Sequence, residues 1–405
     1  MPRNAVAVLQ VLLVPLCFTF HALSIELGPL SLTLHPNKNY RPNPVAALQR
    51  ARYKYGGGNS VRSTTTTATE QGQVVSVSSG GSTAAVALKT ILYDVEYYAT
   101  VQVGTPGQSL RLNFDTGSAD LWFVSSMCTS CGKQQKKFNH RKSSTFKDEG
   151  TPWSITYGDG SKSGGVVGYD TVRLGNLKVV HQAIQLAKQE SESLRDEEIE
   201  GVLGLGFPKL ATVKSQKTLL QNLDNQRLLR KPMFGVYLRR YKLGGGGEFI
   251  FGGYNPDRFE GKLTDVPVDT SRGYWSVNAE QISAGAVPAA ENIEAILDTG
   301  TSLIVFPKDV AQKVARLYNA TDNGDGSFNI PCSKSSVKPM NFQLGGVQFH
   351  IPPESLIYYN DGFACTAGFG YADLSFVVLG DMFIKHNYVV FDYATPQVRI
   401  APVKD

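Results

Sequence analysis

The chain is short of the features that mark several large classes of protein. After the first two dozen residues it has no long apolar run, so the remaining sequence offers no candidate membrane span. Its six histidines show neither H-E-x-x-H nor any clustered spacing, which argues against a metal site. The single C-x-x-C, Cys128 to Cys131, has no second pair, no matching histidines and no βαβ context, so a structural disulfide is favoured over a zinc half-site or a redox motif. Basic residues are unevenly spread. Residues 1–89 hold eight Lys or Arg against Glu26 and Glu70, which leaves 32 basic and 33 acidic residues for the rest. The bulk of the protein therefore lacks the basic face that nucleic-acid binding requires. Long charged helical stretches are also scarce, whereas 40 Gly, 20 Pro, 20 Phe and 18 Tyr point to β structure with many turns.

What is present is ordered in blocks. Residues 1–24 read as a secretory signal: Arg3 precedes the apolar stretch "AVAVLQVLLVPLCF", and Ala22 and Ser24 supply small residues before a cleavage point. A membrane anchor is the rival reading, disfavoured by Pro15, the shortness of the run and the lack of a second span. Residues 25–88 form a leader: a short basic amphipathic stretch ending "ALQRARYKYGGG", then a Ser/Thr/Gly-rich linker too poor in apolar side chains to offset the entropy of ordering. Four cysteines remain after the signal, an even number that suits an oxidising compartment. They allow three pairings, of which local spacing favours Cys128–Cys131 and Cys332–Cys365. From Tyr93 onward, short alternating runs are broken by Gly-Thr-Pro, Asp-Gly and Gly-Gly, the pattern of strands and turns. Helical patterns are few, two of them at 215–229 and 308–320. The loop "KQQKKFNHRK" (133–142) reads as a solvated face, and Asn319-Ala-Thr321 is the one N-glycosylation sequon.

The chain also repeats itself. "FDTGSADLW" is followed by "EGVLGLGF", and "LDTGTSLIVF" by "FVVLGDMF". The two D-T-G turns, Asp115–Gly117 and Asp298–Gly300, lie 183 positions apart, and each is matched at similar range by a glycine, Gly204 or Gly380. One D-T-G is an ordinary Asx turn. Two, each after an apolar strand and before a hydroxyl residue (Ser118, Thr301), suggest two related lobes that each supply one carboxylate to a common axis. Like charges at that distance cannot both ionise, so the pair would hold one proton. One carboxylate then activates a water, its protonated partner polarises a peptide carbonyl, and no cofactor, metal or covalent intermediate is needed.

From about Tyr93 to the C-terminus these residues resemble the pepsin-like aspartic endopeptidases of the secreted fungal branch, whose dyads are known to share a proton in this way. The resemblance implies an all-β, bilobal pepsin-like fold with the cleft between lobes 89–253 and 254–405. It implies catalysis by Asp115 and Asp298, with Thr116, Gly117, Ser118, Thr299, Gly300 and Thr301 supporting them. Tyr157 would be the flap tyrosine, held by the indole of Trp122, and Gly158, Asp159, Ser161, Val202 and Ile296 would meet substrate. Lys54 or Arg52 would occupy the dyad in a latent precursor. The two disulfides match those of the family. Partners would be protein or peptide substrates and pepstatin-type inhibitors, with no nucleic acid and no membrane anchor. A secreted monomer is expected, a vacuolar destination being the alternative. The competing function is a catalytically dead, peptide-binding relative, which both complete D-T-G motifs disfavour.

Overall fold

The computed structural model describes residues 30–36, 43–55, 97–156, 162–195 and 199–404. The expected signal, the Ser/Thr/Gly linker and the flap residues Tyr157, Gly158, Asp159 and Ser161 lie outside that set. Strands dominate. Tyr97–Val103, "YYATVQV", buries every second side chain and pairs antiparallel with Gln108–Asp115, as period-two alternation dictates.

The sequence repeat is a repeat of topology. Strand Gln108–Asp115 runs parallel to Gly201–Gly204, with Asp115 opposite Gly204, and Leu121–Val124 pairs antiparallel on the other side of that short strand. In the second half, Val287–Leu297 runs parallel to Val377–Leu379, and Ile304–Pro307 lies antiparallel beside it. Each D-T-G turn is therefore the link between two strands separated by a third from much later in the chain. Gly204 and Gly380 stand where no side chain fits. A Cβ on Gly204 would lie 2.6 Å from the Ala119 backbone, and one on Gly380 only 2.1 Å from the Thr301 carbonyl oxygen.

The chain does not divide cleanly at residue 253. Thr264–Pro267, Asn387–Asp392 and Gln397–Pro402 come from the later half, yet they extend one sheet with Met233–Leu238 and Gly247–Phe251 from the earlier half. Phe234 stacks on Phe391 at 4.9 Å, and Trp275 donates to the Leu205 carbonyl at 3.0 Å, so one continuous core joins both D-T-G units from behind.

The described parts of residues 25–88, expected to be a leader, are built into this frame. Leu30–Pro36 inserts between Gly247–Phe251 and Tyr97–Val103, pairing with both and burying Leu32 and Leu34. Helix Pro44–Tyr55 starts at Asn43, whose side chain accepts from the Ala46 N–H, and it has Pro at its first position, the favoured N-terminal pair. Its buried face is Ala47, Leu48, Ala51 and Tyr55, one helical stripe. Leu48 covers Gly370, where a Cβ would come within 2.6 Å of its Cδ1.

The two expected helices form but are shorter, Leu219–Asn225 and Lys308–Leu317. Thr218 and Gln221 form a capping box at the start of the first, and Arg227 and Asn319 turn left-handed just beyond the ends. Disulfides join Cys128 to Cys131 and Cys332 to Cys365, and Asn319 is exposed. Among the described residues no helix is long and apolar enough to cross a membrane.

Candidate active site

Each D-T-G turn folds so that its own backbone and hydroxyl hold its carboxylate. Asp115 accepts from the Gly117 N–H at 2.8 Å and from the Ser118 hydroxyl at 2.5 Å. Asp298 accepts from the Gly300 N–H at 2.9 Å and from the Thr301 hydroxyl. The two middle threonines cross over. The Thr116 N–H donates to Thr299 Oγ1 at 3.1 Å, and the Thr299 N–H donates to Thr116 Oγ1 at 3.0 Å. Each hydroxyl then donates onward to the opposite strand, Thr116 to the Leu297 carbonyl at 2.9 Å and Thr299 to the Phe114 carbonyl at 2.6 Å. This reciprocal network is a local twofold, and it fixes the two turns to each other.

The glycines of the turns show how near the carboxylates come. A Cβ on Gly117 would sit 2.5 Å from Asp298 Oδ1, and one on Gly300 would sit 2.3 Å from Asp115 Oδ1. Both positions therefore require glycine, and each faces the other half's aspartate. Asp115 is 7% exposed and Asp298 fully buried.

Helix Pro44–Tyr55 ends in this site. Lys54 Nζ lies 2.5 Å from Asp115 Oδ1 and 3.0 Å from both oxygens of Asp298. Tyr55 donates its hydroxyl to Asp298 Oδ2 at 2.6 Å, with its ring packed edge-on to Tyr274 and Phe376. Arg52 is exposed on the outer side of the helix, beside Asp325, Tyr371 and Asp373. Of the two cations expected at the dyad, Lys54 is the one that reaches it.

Charge and burial set the two aspartates apart. Burial raises Asp115 to about 6, the Asp298 charge adding to it and Lys54 opposing it. For Asp298 burial pushes upward too, but Lys54 and the hydrogen bonds from Asp115, Thr301 and Tyr55 outweigh it and hold the group below the ordinary range. Lys54 is itself raised: burial works against its charge, and the two carboxylates overcome that. The arrangement is a pair that takes up its first proton in mild acid.

Other site residues divide. Trp122 and Val202 line the cleft beside Asp115, with Trp122 6.0 Å from Trp153 between ring centroids. Ile296 does not meet the cleft here. It is fully buried in the core strand two residues before Asp298, supporting the turn from behind. Sequence reasoning missed Tyr55, although it adjoins Lys54. It also missed Asn113 and Glu190, which line the cleft. Asn113 was within reach of strand logic, since residues two apart on a strand share a face with Asp115. Among the described residues no group of three or more His, Cys, Asp or Glu could hold a metal.

A family model of eukaryotic aspartyl proteases matches residues 96–403. Curated relatives extend over the leader as well. Rhizopuspepsin-2 of Rhizopus niveus is 46% identical over 95% of this chain and 96% of its own length. Syncephapepsin of Syncephalastrum racemosum is 46% identical over 91% of each. Rhizopuspepsin of Rhizopus chinensis is 43% identical over 94% of this chain and 96% of its own length. With the two crossed D-T-G turns and a match over most of its length, the chain belongs to the eukaryotic aspartyl proteases and is an aspartic-type endopeptidase.

Proposed function

We propose that the protein is made as a latent precursor whose leader plugs the dyad, and that acid releases an endopeptidase selective for large apolar side chains. The observation that carries this reading is Lys54 lying between the two carboxylates, backed by Tyr55 on Asp298. While that ammonium is docked it occupies the space a nucleophilic water needs. As pH falls the dyad takes up a proton, the ion pair weakens, and the leader can leave.

In the open cleft the proton-sharing pair acts as a unit. The ionised carboxylate accepts a proton from water as its oxygen attacks the peptide carbonyl, and the protonated carboxyl donates to the carbonyl oxygen. Collapse of the tetrahedral intermediate breaks the C–N bond, with a proton passing to the leaving amine. Gly117 and Gly300 N–H groups, Ser118 and Thr301 hold the carboxylates in place through these steps. Asp115 and Asp298 are the catalytic pair, and the crossed threonines keep their separation fixed.

Trp122, Leu194, Ile199 and Val202 give the cleft an apolar wall, which supports a preference for large hydrophobic residues flanking the cut. Asp159 and Ser161 of the flap motif are assigned to lysine acceptance on the sequence resemblance alone. Tyr157 is assigned to the flap on the same ground. The leading apolar stretch, paired cysteines and secretory-type organisation support export from the cell. A pepstatin-type inhibitor should occupy the dyad, and the chain should act as a monomer.

The test is acidification of the purified precursor with a Phe-Phe peptide and a Lys-containing peptide as substrates. Conversion and cleavage should begin together in mild acid, and pepstatin should stop both. Asp159→Thr should reduce cleavage after lysine far more than cleavage between two phenylalanines. A precursor that cleaves fully at neutral pH, or one blocked by a chelator and not by pepstatin, would overturn the reading.

A further inference from the structure

A further buried carboxylate closes the first D-T-G turn. Asp120, the residue before strand Leu121–Val124, is 6% exposed, and its hydrogen-bond partners are all neutral. The Thr212 N–H lies 3.0 and 3.2 Å from its two oxygens, with the Thr212 hydroxyl 3.1 Å and Gln185 Nε2 2.8 Å from Oδ1. The charged groups on neighbouring elements are engaged elsewhere or point to solvent. Asp115 accepts from its own turn and from Lys54. Lys209 donates to the Ser271 carbonyl, Lys214 donates to the Lys209 carbonyl, and Lys217 is exposed. Strand Leu177–Glu190 brings only the neutral Gln182 and Gln185 to this place.

The cluster is short of donors. Gln185 is 5% exposed, and its Oε1 is buried with no hydrogen-bond partner among the described residues. Asp120, Gln182 and Gln185 line a cavity of about 20 Å³, room for about one water. An ionised carboxylate there is neither paired with a cation nor hydrated as in solvent, and that is costly. A proton on Asp120 removes the charge and supplies a donor. Thr212 Oγ1 is placed to accept from Oδ1 while the Thr212 N–H stays on Oδ2. Burial accordingly raises Asp120 above the ordinary aspartate range, against the hydrogen bonds from Thr212 and Gln185 and the Lys214 charge.

Thr212 ends a segment that wraps the active turn. The Gly204 N–H donates to the Asp120 carbonyl, the Leu205 N–H to the Asp115 carbonyl and the Gly206 N–H to the Ser118 carbonyl, at 2.7–2.8 Å. The same segment then reaches the second half of the chain. The Phe207 N–H donates to the Gly273 carbonyl at 3.0 Å, and the Phe207 ring lies 4.5 Å from Trp275. Main-chain bonds thus hold the near end of the segment to the turn, and the Asp120 side chain holds its far end.

We propose that Asp120 is a positioning residue that, in its protonated form, fastens segment 204–212 around the first catalytic turn, and that its ionisation loosens this fastening and destabilises the mature enzyme towards neutral pH. Folding favours the protonated form. The contribution is therefore complete below about pH 4, the ordinary aspartate value, and is lost as pH rises through the raised value of the folded state. The fastening is distinct from the plugging of the dyad by Lys54, because it acts after the leader has gone.

The experiment compares mature wild type with Asp120→Asn, which cannot ionise yet keeps one acceptor and one donor. Pepstatin is present throughout to stop self-cleavage. The melting temperature of Asp120→Asn relative to wild type should be higher at pH 7.5 than at pH 4 by at least about 2 °C. A second measurement uses wild type alone, by amide hydrogen exchange at the same two pH values. Protection of the Thr212 amide should fall between pH 4 and 7.5 by about fivefold more than protection of the Val389 amide, in the distant strand Asn387–Asp392. A melting difference that is the same at both pH values, or larger in acid, would overturn the proposal. So would equal changes in protection at Thr212 and Val389.

Discussion

Replacing Lys54 with methionine would remove one charge from the most crowded ionic site in the molecule while keeping most of the side-chain stem. The ammonium is 2.5 Å from one carboxylate and 3.0 Å from the other, with 14% of the lysine side chain exposed. Deleting one partner of a buried charge pair costs about 3–5 kcal/mol where the remaining charge cannot escape. Here it can escape, because the stranded carboxylates can take up a proton. The cost therefore depends on pH, and its sign follows from the groups themselves. Lys54 pulls the Asp115 pKa down against burial, to about 6 in the docked form, so its removal lets that pKa rise further. The docking strength that Lys54 gains from Asp115 is accordingly complete only above that higher, lysine-free value, and it is lost as pH falls through about 6.

The Lys54→Met precursor should therefore lose latency mainly near neutrality. Each pH unit is worth about 1.4 kcal/mol, so the conversion midpoint should move upward by at least about one unit. Docking is not abolished, because strand Leu30–Pro36 and the buried stripe of Ala47, Leu48 and Ala51 remain. The assay is incubation of purified precursor across pH 3–8, with gel mobility and hydrolysis of a fluorogenic peptide followed together. Arg52→Met is the control: that side chain is exposed and away from the dyad, so its midpoint should stay at the wild-type value. An unchanged midpoint for Lys54→Met, or equal shifts for both variants, would refute the assignment of Lys54 as the plug.

Gly380→Ala should be severely destabilising, by more than about 3 kcal/mol, because its Cβ would lie 2.1 Å from a backbone carbonyl that cannot rotate away, and thermal melting would register it. Thr299→Val removes one donor from the crossed pair and leaves the Thr116 N–H without its acceptor, so it should cost about 1–3 kcal/mol in stability and lower kcat more than it raises KM. His386 is half-buried, its Nε2 is buried with no hydrogen-bond partner among the described residues, and desolvation with the nearby Lys385, Arg240 and His350 charges holds its pKa well below the usual value. Unfolding lets it charge, so stability that is intact above about pH 6.5 is lost as pH falls below it. His386→Leu should therefore raise the melting temperature at pH 4 relative to wild type by more than it does at pH 7.5.

Much of the site was legible because the chemistry is carried by a repeated phrase. Two D-T-G turns with hydroxyls at the next position specify the carboxylates, their N–H donors and their braces, and local spacing was enough to favour the two disulfides. Tertiary contacts hid the rest. Arg50, Arg52 and Lys54 alternate along one basic helix, and only the helix's docked rotation separates the residue at the dyad from the one in solvent. Leu30–Pro36 gives no local sign that its pairing partners lie at 97–98 and 247–251, and the return of Asn387–Asp392 into the earlier half's sheet is equally non-local. Ile296 stands two residues before Asp298 as Asn113 does before Asp115, but Ala295, Ile296 and Leu297 are all buried, so that strand end is covered on both faces and Ile296 belongs to the core. Glu190 was unremarkable in sequence because its partners come from a loop 60 residues earlier.

The most direct test of the account is the pH profile of peptide cleavage by mature wild-type, Asp115→Asn and Asp298→Asn proteins, each first shown to be folded by near-UV circular dichroism. The account predicts a bell in the acid range for wild type, abolished by pepstatin, and loss of turnover by at least about three orders of magnitude in each variant, since neither carboxylate alone can both activate water and polarise the carbonyl. Wild-type-like turnover by either folded variant would contradict it.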